Sequence, residues 1–280
     1  MTILKVSTDI VFVILVYRNY SDLYDLCKSL KLYVQLDYKI VIVDAFYNEK
    51  TSSKIKECAK GVGGEYICVE NKGYGYGNNR GIEYAEKYFE YKFLCICNPD
   101  TVLKSNLKLK GINSDIACIA PIICTSDGKF QNPYWAMKNK FLEWMMYIGY
   151  KKHVNFFLYV AIAINKFLRI LFNIRNLIST KSKCVIYACH GSFFLLTNSF
   201  LNDKKFRFDE EMFLFFEEAF LAFRIELCGK KIIYDKSIKV YHKEDGSMKL
   251  ASIKEYPYLC KSYVHYYEKY RKRHGEKGKC

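Results

Sequence analysis

Leu94–Asp100 reads LCICNPD, a short apolar run that ends in a carboxylate. A strand of this kind delivers its acidic residue to the edge of a sheet. Far downstream come a second acidic group, FFEE at Phe215–Glu218, and then YH at Tyr241–His242. One Asp, one His and a spare carboxylate suit a divalent metal that carries a phosphate, with a base beside it.

The residues before Leu94 say what kind of sheet this is. Ile10–Val16 (IVFVILV) is apolar and β-branched, the pattern of a buried strand. Tyr20–Leu32 then has helical spacing, with Leu23, Leu26 and Leu30 on one face and Ser21 as the candidate cap. Lys39–Val43 predicts a second strand that ends at Asp44, Thr51–Lys60 a polar helix, and Glu65–Val69 a third strand. The glycine-rich Asn71–Gly81 (NKGYGYGNNRG) follows, then a helix over Ile82–Phe89 and a fourth strand over Tyr91–Cys97. Strands alternating with helices at this spacing predict parallel βαβ units and an α/β fold. Ligands on such sheets bind beyond the carboxyl ends of the strands. Asp44, the glycine-rich stretch and Asp100 all fall there.

Bulk properties agree with a folded chain. The 280 residues suffice for one large α/β core, and 51% apolar residues exclude global disorder. The Ile10–Val16 run is short and follows Asp9, so a signal peptide is not expected. The twelve cysteines are scattered without a CxxC pair. They predict a reducing cytoplasm and no disulfide framework.

The net charge is +15, unevenly spread. Residues 151–183 hold seven Lys/Arg and no Asp or Glu. Within them Val154–Phe172 nearly reaches the ~20 residues that cross a bilayer, but Asn165, Lys166 and Arg169 interrupt it. On a helix, Phe157, Val160, Ile164, Phe167 and Leu171 share one stripe, while Asn165, Arg169 and Asn173 lie elsewhere. A basic amphipathic helix of this kind lies in a membrane interface. An ordinary core helix with a solvated basic face is the alternative, and a true span a third. The tail from Lys261 to Cys280 is basic and tyrosine-rich, suited to a lipid surface. No nucleic-acid motif accompanies it, so nucleic acid is not an expected partner.

Six segments carry a family resemblance: VILVYRNYSDL at Val13–Leu23, IVIVDAFYN at Ile40–Asn48, ENKGYGYGNNRGI at Glu70–Ile82, CNPDTVL at Cys97–Leu103, HGSFFLLTNSF at His190–Phe200, and the stretch Phe208–His242. In this order they resemble an inverting glycosyltransferase of family 2, in its bacterial rhamnosyltransferase-like branch. The resemblance implies the GT-A fold. Its catalytic domain would span 1–250, with a basic amphipathic helical insertion at about 136–183 and a basic C-terminal helix or tail over 251–280. It further implies transfer of a sugar from a UDP- or dTDP-linked donor, with inversion, to a glycan or polyprenol-linked acceptor at the inner membrane face, in surface polysaccharide synthesis.

The resemblance also assigns roles. Asp100 is a ligand for Mg2+ or Mn2+, in a motif where Asn98 replaces the family's first Asp and is left to bond the ribose or a metal-bound water. His242 stands where members place a metal- or diphosphate-contacting His. Glu218, with Glu217 before it, stands at the family's acidic pair, whose second member is the general base, and either carboxylate can be the one aimed at the acceptor. A further family Asp is Phe220 here. Asp44 is placed to accept the imide N–H of the nucleobase, and Tyr17 to stack on it. Gly73 lets backbone approach a ligand closely, and Asn79 and Arg80 reach toward diphosphate or sugar. A plain turn and helix start is the alternative for that loop. His190, before Gly191, would shape the sugar pocket. A nucleotide-sugar-binding protein without transfer activity, or a membrane adaptor, are the competing classes. A nucleotidyltransferase would place a glycine-rich basic loop directly after the first strand, and Val16–Tyr20 (VYRNY) has none.

Overall fold

The computed structural model describes residues 4–203, 205–243 and 256–272. Its first half runs β1 (Val6–Val16), α1 (Ser21–Tyr33), β2 (Tyr38–Ala45), α2 (Glu49–Gly61), β3 (Glu65–Val69), α3 (Tyr74–Tyr88) and β4 (Phe89–Cys97). These strands are parallel in the order β3-β2-β1-β4. The second half adds β5 (Thr101–Leu103), β6 (Ile116–Thr125), α4 (Lys140–Lys152), α5 (Asn155–Ile178), β7 (Lys183–Ile186), β8 (Phe193–Thr197), α6 (Asn198–Asp203), α7 (Glu217–Leu227), β9 (Lys231–His242) and α8 (Tyr256–Tyr266). A π-helical stretch, Tyr267–Lys272, continues α8. The sheet extends from β4 through antiparallel β8 to β6 and β9, with β5 and β7 both antiparallel to β9.

Side-chain alternation along the strands builds a core on each face. Ile10, Phe12 and Ile14 pack under α1 and α2 together with Cys95 and Cys97. Val11 and Val13 face the other way, with Leu94 and Ile96, toward α3, α7 and α8. Each such fully buried side chain contributes about 2 kcal/mol of desolvation. The cysteines in the described residues are free, and most are core thiols.

Local details correct several expectations. The N-cap position of α1 is Tyr20, and Ser21 bonds the Asn19 amide oxygen at 2.9 Å instead of capping the helix. Asn48 caps α2, its side chain accepting from Thr51 N at 2.9 Å. Most of the glycine-rich stretch is helix, because α3 begins at Tyr74. A Cβ on Gly77 would come within 2.4 Å of Leu15 Cδ1, and one on Gly81 within 2.3 Å of Val13 Cγ1. Those glycines bring α3 down onto β1, not onto a ligand.

Two segments expected on the periphery meet the core in ways the sequence does not show. Tyr263 and Tyr266 of the C-terminal helix are fully buried. Past its end, Arg271 pairs with the buried Glu143 of α4 at 2.6 Å. In α5 the polar side faces the protein. Asn165 Nδ2 donates to Tyr134 O at 3.3 Å, and Arg169 Nη2 to Phe130 O at 2.5 Å and Gln131 O at 3.2 Å. Phe157, Val160 and Ile164 pack toward α4. Arg169, expected among the basic residues of a membrane interface or, in the alternative, on a solvated face, is therefore turned inward.

Candidate active site

At the carboxyl ends of β1 and β2, Asp44 is almost wholly buried. Its Oδ2 accepts from Tyr66 Oη at 2.8 Å, while its Oδ1 is buried with no partner. Burial and this carboxylate push the Tyr66 phenol well up. An unpaired buried acceptor is costly, so Asp44 stands ready for a donor N–H. Tyr17 follows Val16, the register partner of Asp44; it is 38% exposed and edge-on to Tyr47 with ring centroids 5.8 Å apart. The Arg18 guanidinium lies 4.5 Å from the Tyr47 ring centroid. Tyr47 and Arg18 were not singled out from the sequence. The left-handed backbone of Arg18 (φ 67°) was the missing signal, and only coordinates give it.

The strand pairing of β5 with β9 sets the second group. Thr101 lies opposite His242, which brings Asp100 Oδ1 to 3.3 Å from His242 Nε2. The other ring nitrogen, Nδ1, lies 2.7 Å from Gln131 Oε1. An amide oxygen there accepts a hydrogen bond from Nδ1–H, which leaves Nε2 as the ring nitrogen that would coordinate a cation held together with Asp100. That is the support a metal-ligating imidazole normally has. Asn98 N donates to Ser192 O at 2.8 Å, and Asn98 O accepts from Thr101 Oγ1 at 2.7 Å, closing the NPD turn. His190 stands near, its ring centroid 5.7 Å from that of His242. Burial, then the neighbouring His242, pulls its pKa down to about 3, so it is neutral at physiological pH.

The base candidates reach the same place. Gly191 N donates to Glu218 Oε1 at 3.2 Å, and Tyr74 Oη donates to Gly191 O at 2.7 Å. The His190–Ser192 turn thus touches the NPD turn on one side and Glu218 on the other. Burial raises the pKa of Glu218. Glu217 is more deeply buried, has Oε1 unpartnered, and is raised further by burial and then by Glu218. Both carboxylates open α7 directly after Phe215 and Phe216, two consecutive residues with left-handed backbone (φ 76° and 67°). Such conformations cost about 1–3 kcal/mol each and persist only where the surroundings fix them. Here Phe216 packs on Tyr150 and Tyr263, and Leu214 O accepts from Ser262 Oγ at 2.8 Å. Phe220, where relatives by resemblance carry an Asp, is core packing against Phe206 and Tyr270.

Three expected donor contacts are engaged elsewhere. Asn79 accepts from Phe208 N at 2.8 Å and donates to Phe208 O and to Glu210. Arg80 pairs with Glu210 at 2.6 Å and Glu83 at 3.1 Å. Gly73 (φ 106°) lies against the chain itself, where a Cβ would sit 2.1 Å from Phe213 O. All three hold the 208–213 segment, so α3 positions the loop that leads into Glu217 and Glu218 instead of a ligand. A second acid–histidine cluster, Asp209, Glu211 and His265, has its donor atoms within 4.8 Å of one another. There Lys269 bonds Asp209 at 3.1 Å and Glu211 at 2.5 Å.

No protein-family model matches the chain, and no curated protein does. Solved structures do. A crystal structure of GalNAc-T7 with UDP, GalNAc and Mn2+ superposes with a TM-score of 0.60 at 15% identity, covering 93% of this chain and 48% of that one. The fold is GT-A. Two structures of S. aureus TarS agree. The first has a TM-score of 0.54 at 12% identity, covering 84% of this chain and 36% of that one. Residues 1–349 of TarS in complex with UDP give 0.53 at 12%, covering 84% and 60%. This GT-A chain therefore spans less than two thirds of each of these three structures, and at these identities the likeness concerns the fold.

Proposed function

We propose that this chain is a glycosyltransferase. It moves a sugar from a UDP- or dTDP-linked donor to a hydroxyl of a glycan or polyprenol-linked glycan, with inversion, in surface polysaccharide synthesis. The observation that carries the reading is convergence: Asp100, His242, His190 and Glu218 meet around one turn, beyond the strand ends and on the same sheet edge as the open acceptor of Asp44. The rhamnosyltransferase-like branch rests on the motif resemblance alone. The place of work is the cytoplasmic side of the membrane, where a lipid-linked acceptor would lie.

Asp44 Oδ1 takes the imide N–H of the base, and Tyr17 stacks on its face. Asp100 Oδ1 and the Nε2 lone pair of His242 are the donor set for Mg2+ or Mn2+. The cation would supply charge neutralisation of the departing diphosphate. Glu218 accepts the proton of the acceptor hydroxyl as its oxygen bonds the anomeric carbon. The bond from that carbon to the diphosphate oxygen breaks, and the nucleoside diphosphate leaves with the electron pair. Burial makes Glu218 a stronger base than a free glutamate. GalNAc-T7 and TarS were crystallised with UDP, which favours a uridine donor for a shared fold.

Thermal-shift screening against UDP-, dTDP- and GDP-sugars, followed by donor hydrolysis with Mn2+ and with EDTA, tests the reading. The expected result is a UDP- or dTDP-sugar that stabilises the protein and is turned over only with metal. Binding without turnover under any condition would make this a nucleotide-sugar-binding protein instead.

A further inference from the structure

Helix α5 turns an unusually apolar face outward for a helix on the surface of a soluble domain. Such helices turn charged residues to water and apolar ones inward. Here Asn165 and Arg169 face the protein, and Phe156, Tyr159, Phe167, Ile170, Ile174 and Leu177 are 47–85% exposed. The helix is 24 residues long and apolar enough to cross a membrane by length and composition. Its ends forbid crossing. Before it, α4 packs against it through Leu142, Met145 and Ala161. After it, β7 re-enters the same sheet beside β9. Both ends return to one body, so the helix lies along a surface.

We infer that the outward face of α5 docks flat on an anionic lipid bilayer. Charge chooses the bilayer over a second copy of the chain. Residues 151–183 contain seven Lys/Arg and no acid; Lys151 and Lys183 pair with Glu268 and Asp235 and Arg169 is turned inward, while Lys166 and Arg175 are exposed on the helix itself. Two copies meeting through this face would oppose like charges, whereas anionic headgroups neutralise them. Aromatic side chains gather where interfacial anchors do their work. Phe141 and Trp144 stack at 6.0 Å, Trp144 meets Phe157 edge-on, and Trp144 is 42% exposed.

The inner face of the same helix reaches the candidate site. Arg169 holds the carbonyl of Gln131, and the Gln131 side chain meets His242. Docking would therefore set the Asp100–His242 pair one layer beneath the lipid surface. This placement deepens the transferase reading and rests on it for the acceptor, but docking itself is read without turnover.

The test is co-sedimentation of the full chain with phosphatidylcholine vesicles, with and without phosphatidylglycerol. Emission is followed from Trp144 in a Trp135→Phe background. The parent is expected to pellet with the anionic vesicles, with Trp144 emission shifting to the blue. Each of Lys166→Glu and Arg175→Glu is expected to weaken partitioning about 5-fold or more, the worth of one cation near such a surface. The pair Ile170→Ser and Ile174→Ser is expected to abolish pelleting while keeping the parent's melting temperature and its response to UDP-sugars. Pelleting retained by the serine variant, equal binding to neutral and anionic vesicles, or no binding at all would overturn the inference. So would a lipid-free dimer, seen by sedimentation velocity, that the serine variant dissociates. Loss of turnover with docking intact would instead count against the transferase reading.

Discussion

At the scale of single residues, the site sorts its carboxylates by environment. Asp100 is partly exposed beside an imidazole, whereas Glu217 and Glu218 are pushed up by burial. Asp100→Ala is expected to abolish metal-dependent turnover and leave the melting curve unchanged, read by hydrolysis across a Mn2+ series. Activity of that variant in excess EDTA would sink the metal assignment. Glu218→Gln keeps shape and loses the proton acceptor. A positioned base is worth about 10²–10⁴ in rate, so turnover should drop by that order with donor affinity kept. If only Glu217→Gln loses turnover, the base is Glu217. Because the pair's folded pKa is raised, the acid limb of the rate profile should lie above the ordinary glutamate range. The same shift has a stability sign. The folded state holds the proton more tightly, so this contribution is fully present below the unfolded glutamate pKa and is lost as pH rises through the folded one. Glu217→Gln should therefore melt higher than the parent at neutral pH, with the advantage vanishing in acid.

At the scale of elements, the helices around the site act as braces. The 130–134 segment carries Gln131 and Asn132, which hold His242 and the His190 backbone. That segment hangs from α5 through Arg169 and Asn165. Hydrogen bonds to a charged group are worth about 1.5–3 kcal/mol each. Arg169→Ala should lower stability by about that much and weaken the Mn2+ dependence of turnover, read by denaturant melts and a metal titration. A purely structural role would lower stability with the Mn2+ midpoint unmoved. The 208–216 loop is braced from two sides, by α3 through Asn79 and Arg80 and by α8 through Ser262, Tyr263 and His265. This explains why a loop with two left-handed phenylalanines is stable.

At the scale of the whole molecule, α8 belongs to the core. Tyr263 is fully buried, touches the Tyr150 and Phe216 rings, and donates to Glu143 O at 3.0 Å. Truncating a buried aromatic costs about 3–5 kcal/mol. Tyr263→Ala should lose stability of that size in urea unfolding and also lose turnover, because Phe216 carries Glu217 and Glu218. A freely appended basic helix would show neither effect. The part of residues 251–280 that lies at 251–255 and 273–280 falls outside the described residues.

The sequence by itself determined the parallel half of the sheet and the ends of its strands. Continuous apolar runs such as Ile10–Val16 and Ile40–Val43 must be buried on both faces, as central strands of a parallel sheet are, and their last residues then fall at the ligand edge. The positions of Asp44 and Asp100 were legible for that reason, as acids ending apolar runs, whereas the Glu217–Glu218 pair was picked out by the family resemblance. Partners of acids distant in the chain were not. That His242 lies beside Asp100 depends on the register of β5 on β9, and that Glu218 reaches Gly191 depends on a loop bent through two left-handed residues. Local pattern also cannot say which side of an amphipathic helix meets protein. The polar side of α5 turned inward because unpaired carbonyls at residues 130, 131 and 134 needed donors, and Asn165 and Arg169 supplied them. The glycines of Asn71–Gly81 misled for the same reason. Close backbone approach is written in the residue type, but whether a ligand or another part of the chain does the approaching is settled only when the chain has packed.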